Sequence, residues 1–99
     1  HTYNAMRGLH HREAGTVGAI FLNQTVNAEL IYDRIHVSKP AAAVLIKEKG
    51  ADRVIGVSDS TLAAGLPTGT TVNMWGLDCV VGEGQIRLAS NGSLAGSAV

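Results

Sequence analysis

Two side chains in this 99-residue chain stand where parallel α/β sequences keep their chemistry. Asp59 lies in Ser58-Asp59-Ser60, just past the apolar run Arg53-Val54-Ile55-Gly56-Val57, and His36 follows the run Ala28-Glu29-Leu30-Ile31-Tyr32-Asp33 at a short remove. A carboxylate at a strand end can ligate a metal or serve as general base for a metal-bound water, and an imidazole nearby can donate to a substrate oxygen or phosphate. The structural alternative stands beside this: Asp59 caps a turn, and His36 is a hydrogen-bonded surface residue.

A second polar cluster opens the chain. Residues 1 to 15 mix His1, His10 and His11 with Asn4, Arg7, Arg12 and the glycines Gly8 and Gly15, a composition suited to holding a phosphate or a sugar. The histidines lack the i, i+4 spacing of a helical zinc motif and have no partner cysteines, so no self-contained zinc site is visible. Near the other end, Leu94-Ala95-Gly96-Ser97 follows an Asn-Gly turn and can present backbone amides to a ligand or form a plain return loop. Met74 and Trp75 are expected in a core, and Cys79, the single cysteine, reads as a buried thiol in a reducing compartment.

The elements that position these groups are legible from local signals. Thr16–Leu22 is a short apolar run expected as a helix. Residues 28–33 read as a buried strand, and Ser38 can cap a helix that tolerates Pro40 in its first turn and runs through Ala41–Lys49. Gly50 suits the left-handed position after that helix. With the strand 53–57 following, the order is strand, helix, strand: a βαβ unit whose crossover is right-handed and whose polar residues collect at the C-terminal strand ends. After Gly65–Gly69 the runs 70–75, 77–81 and 85–88 are separated by turn residues and predict an antiparallel meander.

Eight basic side chains balance eight acidic ones, which argues against nucleic acid or an anionic membrane surface as the main partner. No apolar stretch approaches the roughly 18 residues of a membrane span, and no signal segment opens the chain, so a cytoplasmic location is expected. Both ends read as cut, and a piece of a longer protein is expected.

Five blocks resemble one family, in its order and approximate spacing: His1-Thr2-Tyr3-Asn4-Ala5-Met6, His11-Arg12-Glu13-Ala14-Gly15, Asp33-Arg34-Ile35-His36-Val37, Val57-Ser58-Asp59-Ser60 with Ala63–Pro67, and Gly92–Ser97. That family is the N-acetylglucosamine-6-phosphate deacetylases of the amidohydrolase superfamily. The resemblance implies an α/β fold, a (β/α)8 barrel with a small β-sandwich domain. Residues 1–69 would be the C-terminal part of the barrel, and residues 70–99 a meander returning towards the sandwich. It further implies a divalent metal, zinc, with His1 as one ligand, and Asp59 as the catalytic aspartate. Asn4, Ala5, Arg12, His36, Leu94, Ala95, Gly96 and Ser97 would be substrate-binding. Arg12 would reach the sugar phosphate, across to the other subunit of a homodimer. The implied reaction hydrolyses the acetamide of N-acetylglucosamine 6-phosphate to glucosamine 6-phosphate and acetate.

The chain departs from the family pattern at Arg34, where glycine is usual, and at Ala14, where proline is usual. Lys39 adds a charge near the helix start, and Ser60 stands where alanine is common. A cation at position 34 beside the pocket bears on substrate choice. The family's ligand glutamate and another histidine would precede residue 1, so the 99 residues alone are expected to be inactive. A non-catalytic oligomerising or sugar-phosphate-binding module is the alternative.

Overall fold

A computed structural model describes residues 1–99. The chain forms two compact units, His1–Val57 and Ser58–Val99.

In the first unit, strand β1 (Ala28–Ile31) pairs in parallel with β2 (Val54–Val57), in a register that sets Ala28 opposite Val54 and Ile31 opposite Val57. Three of the four β1 side chains are buried, as expected for a parallel strand covered on both faces. The connection is helix α2 (Lys39–Lys49) and a single 3-10 turn at Ala51–Arg53. The Ser38 Oγ accepts the backbone N–H of Ala41 at 3.3 Å, satisfying one of the donors that a helix start leaves free. Gly50 ends α2 at φ 77°, ψ 155°, so its φ is positive as expected, but its ψ is extended and turns the chain at once towards β2.

Helix α1 (Gly15–Leu22) is the expected short helix. Its end is finished by another element: Lys49 Nζ donates to the carbonyls of Ile20 at 3.0 Å and Asn23 at 2.6 Å. Ala28, Leu30, Val37, Ala42 and Leu45 form the core, flanked by Tyr3, Ile20, Phe21, Ala41 and Val54. Strand β1 ends at Ile31, short of the expected Asp33, because the Asp33 carboxylate draws the following backbone into a turn.

The second unit is a meander of β3 (Thr71–Met74), β4 (Leu77–Val81), β5 (Gln85–Leu88) and β6 (Leu94–Ser97), paired in that order and antiparallel throughout. Ala63, Met74, Cys79, Val81 and Ile86 are its buried core. Residues 58–69 pack with this sheet: Ala63 is fully buried in it, and the Gly69 N–H donates to Val81 O at 2.7 Å. Met74 and Cys79 are inside as expected, whereas Trp75 is 75% exposed. The reason is local. Trp75 and Gly76 are the two central residues of the β3–β4 hairpin, both at positive φ (55° and 79°), and a tight turn points its side chains outward.

Candidate functional site

The groups expected to do chemistry fall into both units. In the first, the Thr2 N–H donates to Glu29 O at 2.9 Å, which ties the start of the chain alongside β1, and Thr2 is buried there. The next residues turn sharply, with Tyr3 at φ 76° and Ala5 at φ 57°. Tyr3 anchors the turn: its hydroxyl donates to Ala41 O at 2.7 Å, and its ring meets Phe21 edge-on at 6.3 Å. His1 and Ala5 are exposed and Asn4 is half-buried, its Nδ2 donating to Thr2 O at 3.4 Å. Arg12 is exposed in a turn closed by the His10–Glu13 bridge, in which the Arg12 N–H donates to His10 Nδ1 at 3.1 Å. The nearby Glu13 carboxylate is taken by Arg7 at 3.1 Å, so the Arg12 guanidinium carries no ion pair.

His36 is not at the strand end itself but in the turn beyond it, where its side chain is only 3% exposed. Asp33 organises this turn. One carboxylate oxygen, Oδ1, accepts the backbone N–H groups of Ile35 (2.8 Å) and His36 (2.9 Å), and Oδ2 lies 2.6 Å from His36 Nδ1. Burial pushes the Asp33 carboxyl up, but the two backbone donors and the His36 ring outweigh it and hold the group below its ordinary value. The other ring nitrogen of His36, Nε2, is buried and meets no hydrogen-bond partner. The surface-residue alternative for His36 therefore does not hold. The role of Asp33 was absent from the sequence reading, although the Asp-x-x-His spacing is the signal that carries it.

Arg34, exposed within the same turn, has φ 67°. That is a left-handed conformation natural to glycine and strained for arginine.

In the second unit, Asp59 follows β2 at φ 55° and is exposed. Its turn is capped by a neighbour, because the Ser60 N–H donates to Ser58 Oγ at 3.2 Å. The carboxylate is thus spared the capping role that the structural alternative gave it. Its backbone is gripped by residues that were expected to form a loop. Leu94–Ser97 is instead strand β6, at the edge of the meander, and Ser60 forms a parallel bridge with Ser97. The Ser97 N–H donates to Asp59 O at 3.1 Å, while Ser97 O accepts the Thr61 N–H (3.3 Å) and the Thr61 hydroxyl (3.1 Å). Ser97 is buried, Ala95 and Gly96 are half-buried, and Leu94 is exposed. Gly96, at φ 118°, lies so close that a Cβ there would come 2.7 Å from Thr61 Cγ2 and 3.5 Å from Asp59 O.

No three or more His, Cys, Asp or Glu side chains converge in a way that could hold a metal ion. The residues of this chain therefore do not by themselves fit the zinc centre that the resemblance implies. No helix is long and apolar enough to cross a membrane.

No protein-family model matches the chain. Individual proteins do. The N-acetylglucosamine-6-phosphate deacetylase of Lysinibacillus sphaericus is 43% identical over 97 residues, which is 98% of this chain and 24% of that enzyme. The N-acetylgalactosamine-6-phosphate deacetylase of Escherichia coli O157:H7 is 42% identical over 97 residues, 98% of this chain and 25% of that enzyme. Among solved structures, N-acetylglucosamine-6-phosphate deacetylase from Thermotoga maritima superposes with a TM-score of 0.91 at 39% identity, covering 100% of this chain and 27% of that one. A mutant of the Mycobacterium smegmatis enzyme, in complex with N-acetyl-D-glucosamine 6-phosphate, gives a TM-score of 0.92 at 29% identity, covering 100% of this chain and 26% of that one. The chain spans about a quarter of the length of the curated relatives just described. Over that stretch it is homologous to the N-acetylglucosamine-6-phosphate deacetylases.

Proposed function

We propose that these 99 residues supply the general base and part of the substrate-binding wall of a metal-dependent sugar-phosphate deacetylase. The homologous quarter would be the C-terminal part of a (β/α)8 barrel running towards a small β-sandwich, in a cytoplasmic homodimer. The observation that carries the reading is Asp59: an exposed carboxylate beyond a parallel strand, freed from capping by Ser58, its backbone fixed by β6.

In this reading the Asp59 carboxylate takes a proton from the water that attacks the acetamide carbonyl. It returns that proton to the amine nitrogen as the C–N bond breaks, releasing acetate and glucosamine 6-phosphate. Arg12, whose guanidinium has no ion pair within the chain, binds the phosphate. Asn4, Ala5, His36 and the residues Leu94 to Ser97 line the sugar. The divalent metal, zinc, is held largely by residues outside this stretch, with His1 as one contributor, and the isolated chain is inactive.

One observation brings in a second substrate on an equal footing. A relative named for the galactosamine isomer is 42% identical, against 43% for one named for the glucosamine isomer, a difference too small to choose between the two.

The test replaces the homologous quarter of the Lysinibacillus sphaericus enzyme with this chain and measures acetate release from both N-acetylhexosamine 6-phosphates. The graft is expected to turn over at least one of them, and Asp59→Asn is expected to lower kcat by about a thousandfold, within the usual range for a lost general base. A folded graft that is inactive on both, or one that keeps its rate as Asp59→Asn, overturns the proposal.

A further inference from the structure

We propose that Thr61 is the positioning residue for Asp59: its hydroxyl clasps the carbonyl of Ser97 and holds the left-handed turn that sets where the carboxylate stands. The assignment rests on the deacetylase reading and adds to it a residue that none of the five sequence blocks contains.

Asp59 is placed by its backbone. The cap of its turn is made by Ser58, and each ion pair of the chain lies elsewhere, so no side-chain partner steers the carboxylate. Its φ of 55° is a left-handed conformation that strains a side-chain-bearing residue and persists only where the surroundings over-determine it. Strand β6 supplies that constraint. The Ser97 N–H donates to Asp59 O at 3.1 Å and Ser97 O accepts the Thr61 N–H, so residues 59–61 run parallel to β6 through the Ser60–Ser97 bridge. Asp59 itself is exposed, so the side chain held in this way stays open to a substrate.

The second of those backbone bonds is long, at 3.3 Å, past the usual N–H···O range, and is a weak hold by itself. The Thr61 hydroxyl reinforces it. Oγ1 donates to the same carbonyl at 3.1 Å and accepts the Ala63 N–H at 3.3 Å, so its proton has one direction to point. The other branch of the side chain serves the same end. Cγ2 stands against Gly96, where a Cβ would come within 2.7 Å of it, and that same Cβ would lie 4.0 Å from Asp59 Oδ2. The carboxylate and the threonine methyl thus both lie beside one glycine of β6. Ser97 takes part through its backbone, since its side chain is 1% exposed.

Two measurements test this. In the 99-residue chain, amide hydrogen exchange should show Thr61→Val lowering the protection of the Ser97 N–H by about tenfold or more relative to that of Val81, whose N–H bonds to Thr70 O away from the clasp. Thr61→Ser, which keeps the hydroxyl, should restore it. Protection that is unchanged, or that falls equally at both amides, overturns the proposal whatever the protein's activity. In the graft, Thr61→Val should lower kcat by about 10- to 100-fold with KM within about twofold, because the base is displaced while the sugar contacts stay. Thr61→Ser should recover most of that loss. In the Asp59→Asn background, Thr61→Val should cost less than about threefold, because the threonine acts through the carboxylate. Equal losses in both backgrounds, or a loss carried by KM, would make Thr61 a structural residue and sink the assignment. An unmodified graft with no activity would count against the deacetylase reading instead, and the exchange measurement would then decide the assignment alone.

Discussion

Gly96→Ala should destabilise the second unit by about 3 kcal/mol and loosen Asp59 with it. Two costs add. Gly96 sits at φ 118°, a region that side-chain-bearing residues rarely occupy, which costs on the order of 1–3 kcal/mol. The added methyl would also stand 2.7 Å from Thr61 Cγ2, and Thr61 cannot rotate aside without giving up the bond from its hydroxyl to Ser97 O. Overpacking of this kind costs roughly 1–3 kcal/mol. Against a total stability of about 5–15 kcal/mol for a chain of this size, the loss is large. With an m-value of about 1.5 kcal/mol per molar urea, the denaturation midpoint should fall by about 2 M. Urea titration followed by circular dichroism reads this directly. Adding Thr61→Ser removes Cγ2 and should recover the contact share of the loss, leaving the backbone share. A midpoint within about 0.3 M of the unmodified chain would refute the close-approach argument. No recovery with Thr61→Ser would refute the part assigned to the methyl contact.

Two further outcomes follow from backbone conformation. Trp75→Asn should raise stability by roughly 0.5–1 kcal/mol, since Asn-Gly favours the positive φ values of the β3–β4 turn and the exposed indole contributes little packing; a thermal melt of the variant checks it. Arg34→Gly should relieve the strain of φ 67°, partly offset by the greater freedom of glycine in the unfolded chain, for a net gain of up to about 1 kcal/mol. In the graft, the ratio of rates on the two sugar phosphates should also shift with Arg34→Gly, and an unchanged ratio would remove Arg34 from substrate choice.

The parts of the fold that were legible in the sequence are those held by near neighbours. Ser38, Pro40 and Gly50 announce α2 because a cap, a first-turn proline and a terminating glycine act within a few residues. The strand–helix–strand order follows from apolar runs alone. What was not legible depends on distant partners or on the sign of φ. Leu94–Ser97 looks like a loop because it contains a glycine, yet β5 on one side and Ser60 on the other make it a strand. Trp75 looks like core because of its size, yet the turn it occupies turns it out. The Asp33–His36 pair was readable in principle, from two polar residues three apart. The burial that gives the pair its meaning comes from Val37 and the core of the first unit, which no local pattern reports.

The bridge from Ser97 to the Asp59 turn also fixes an order of events. Thr61 and Ser97 are 36 residues apart, so the contact that fixes the Asp59 turn cannot form until Ser97 has been made. During synthesis at about 5–20 residues per second, Asp59 would wait roughly 2–8 s for Ser97 to be made. Until then, the turn that carries it has only its local cap to hold it. A ribosome that stalls between the two would leave β1 and β2 made and the Asp59 turn unset, so ordering of that turn should lag behind folding of the first unit.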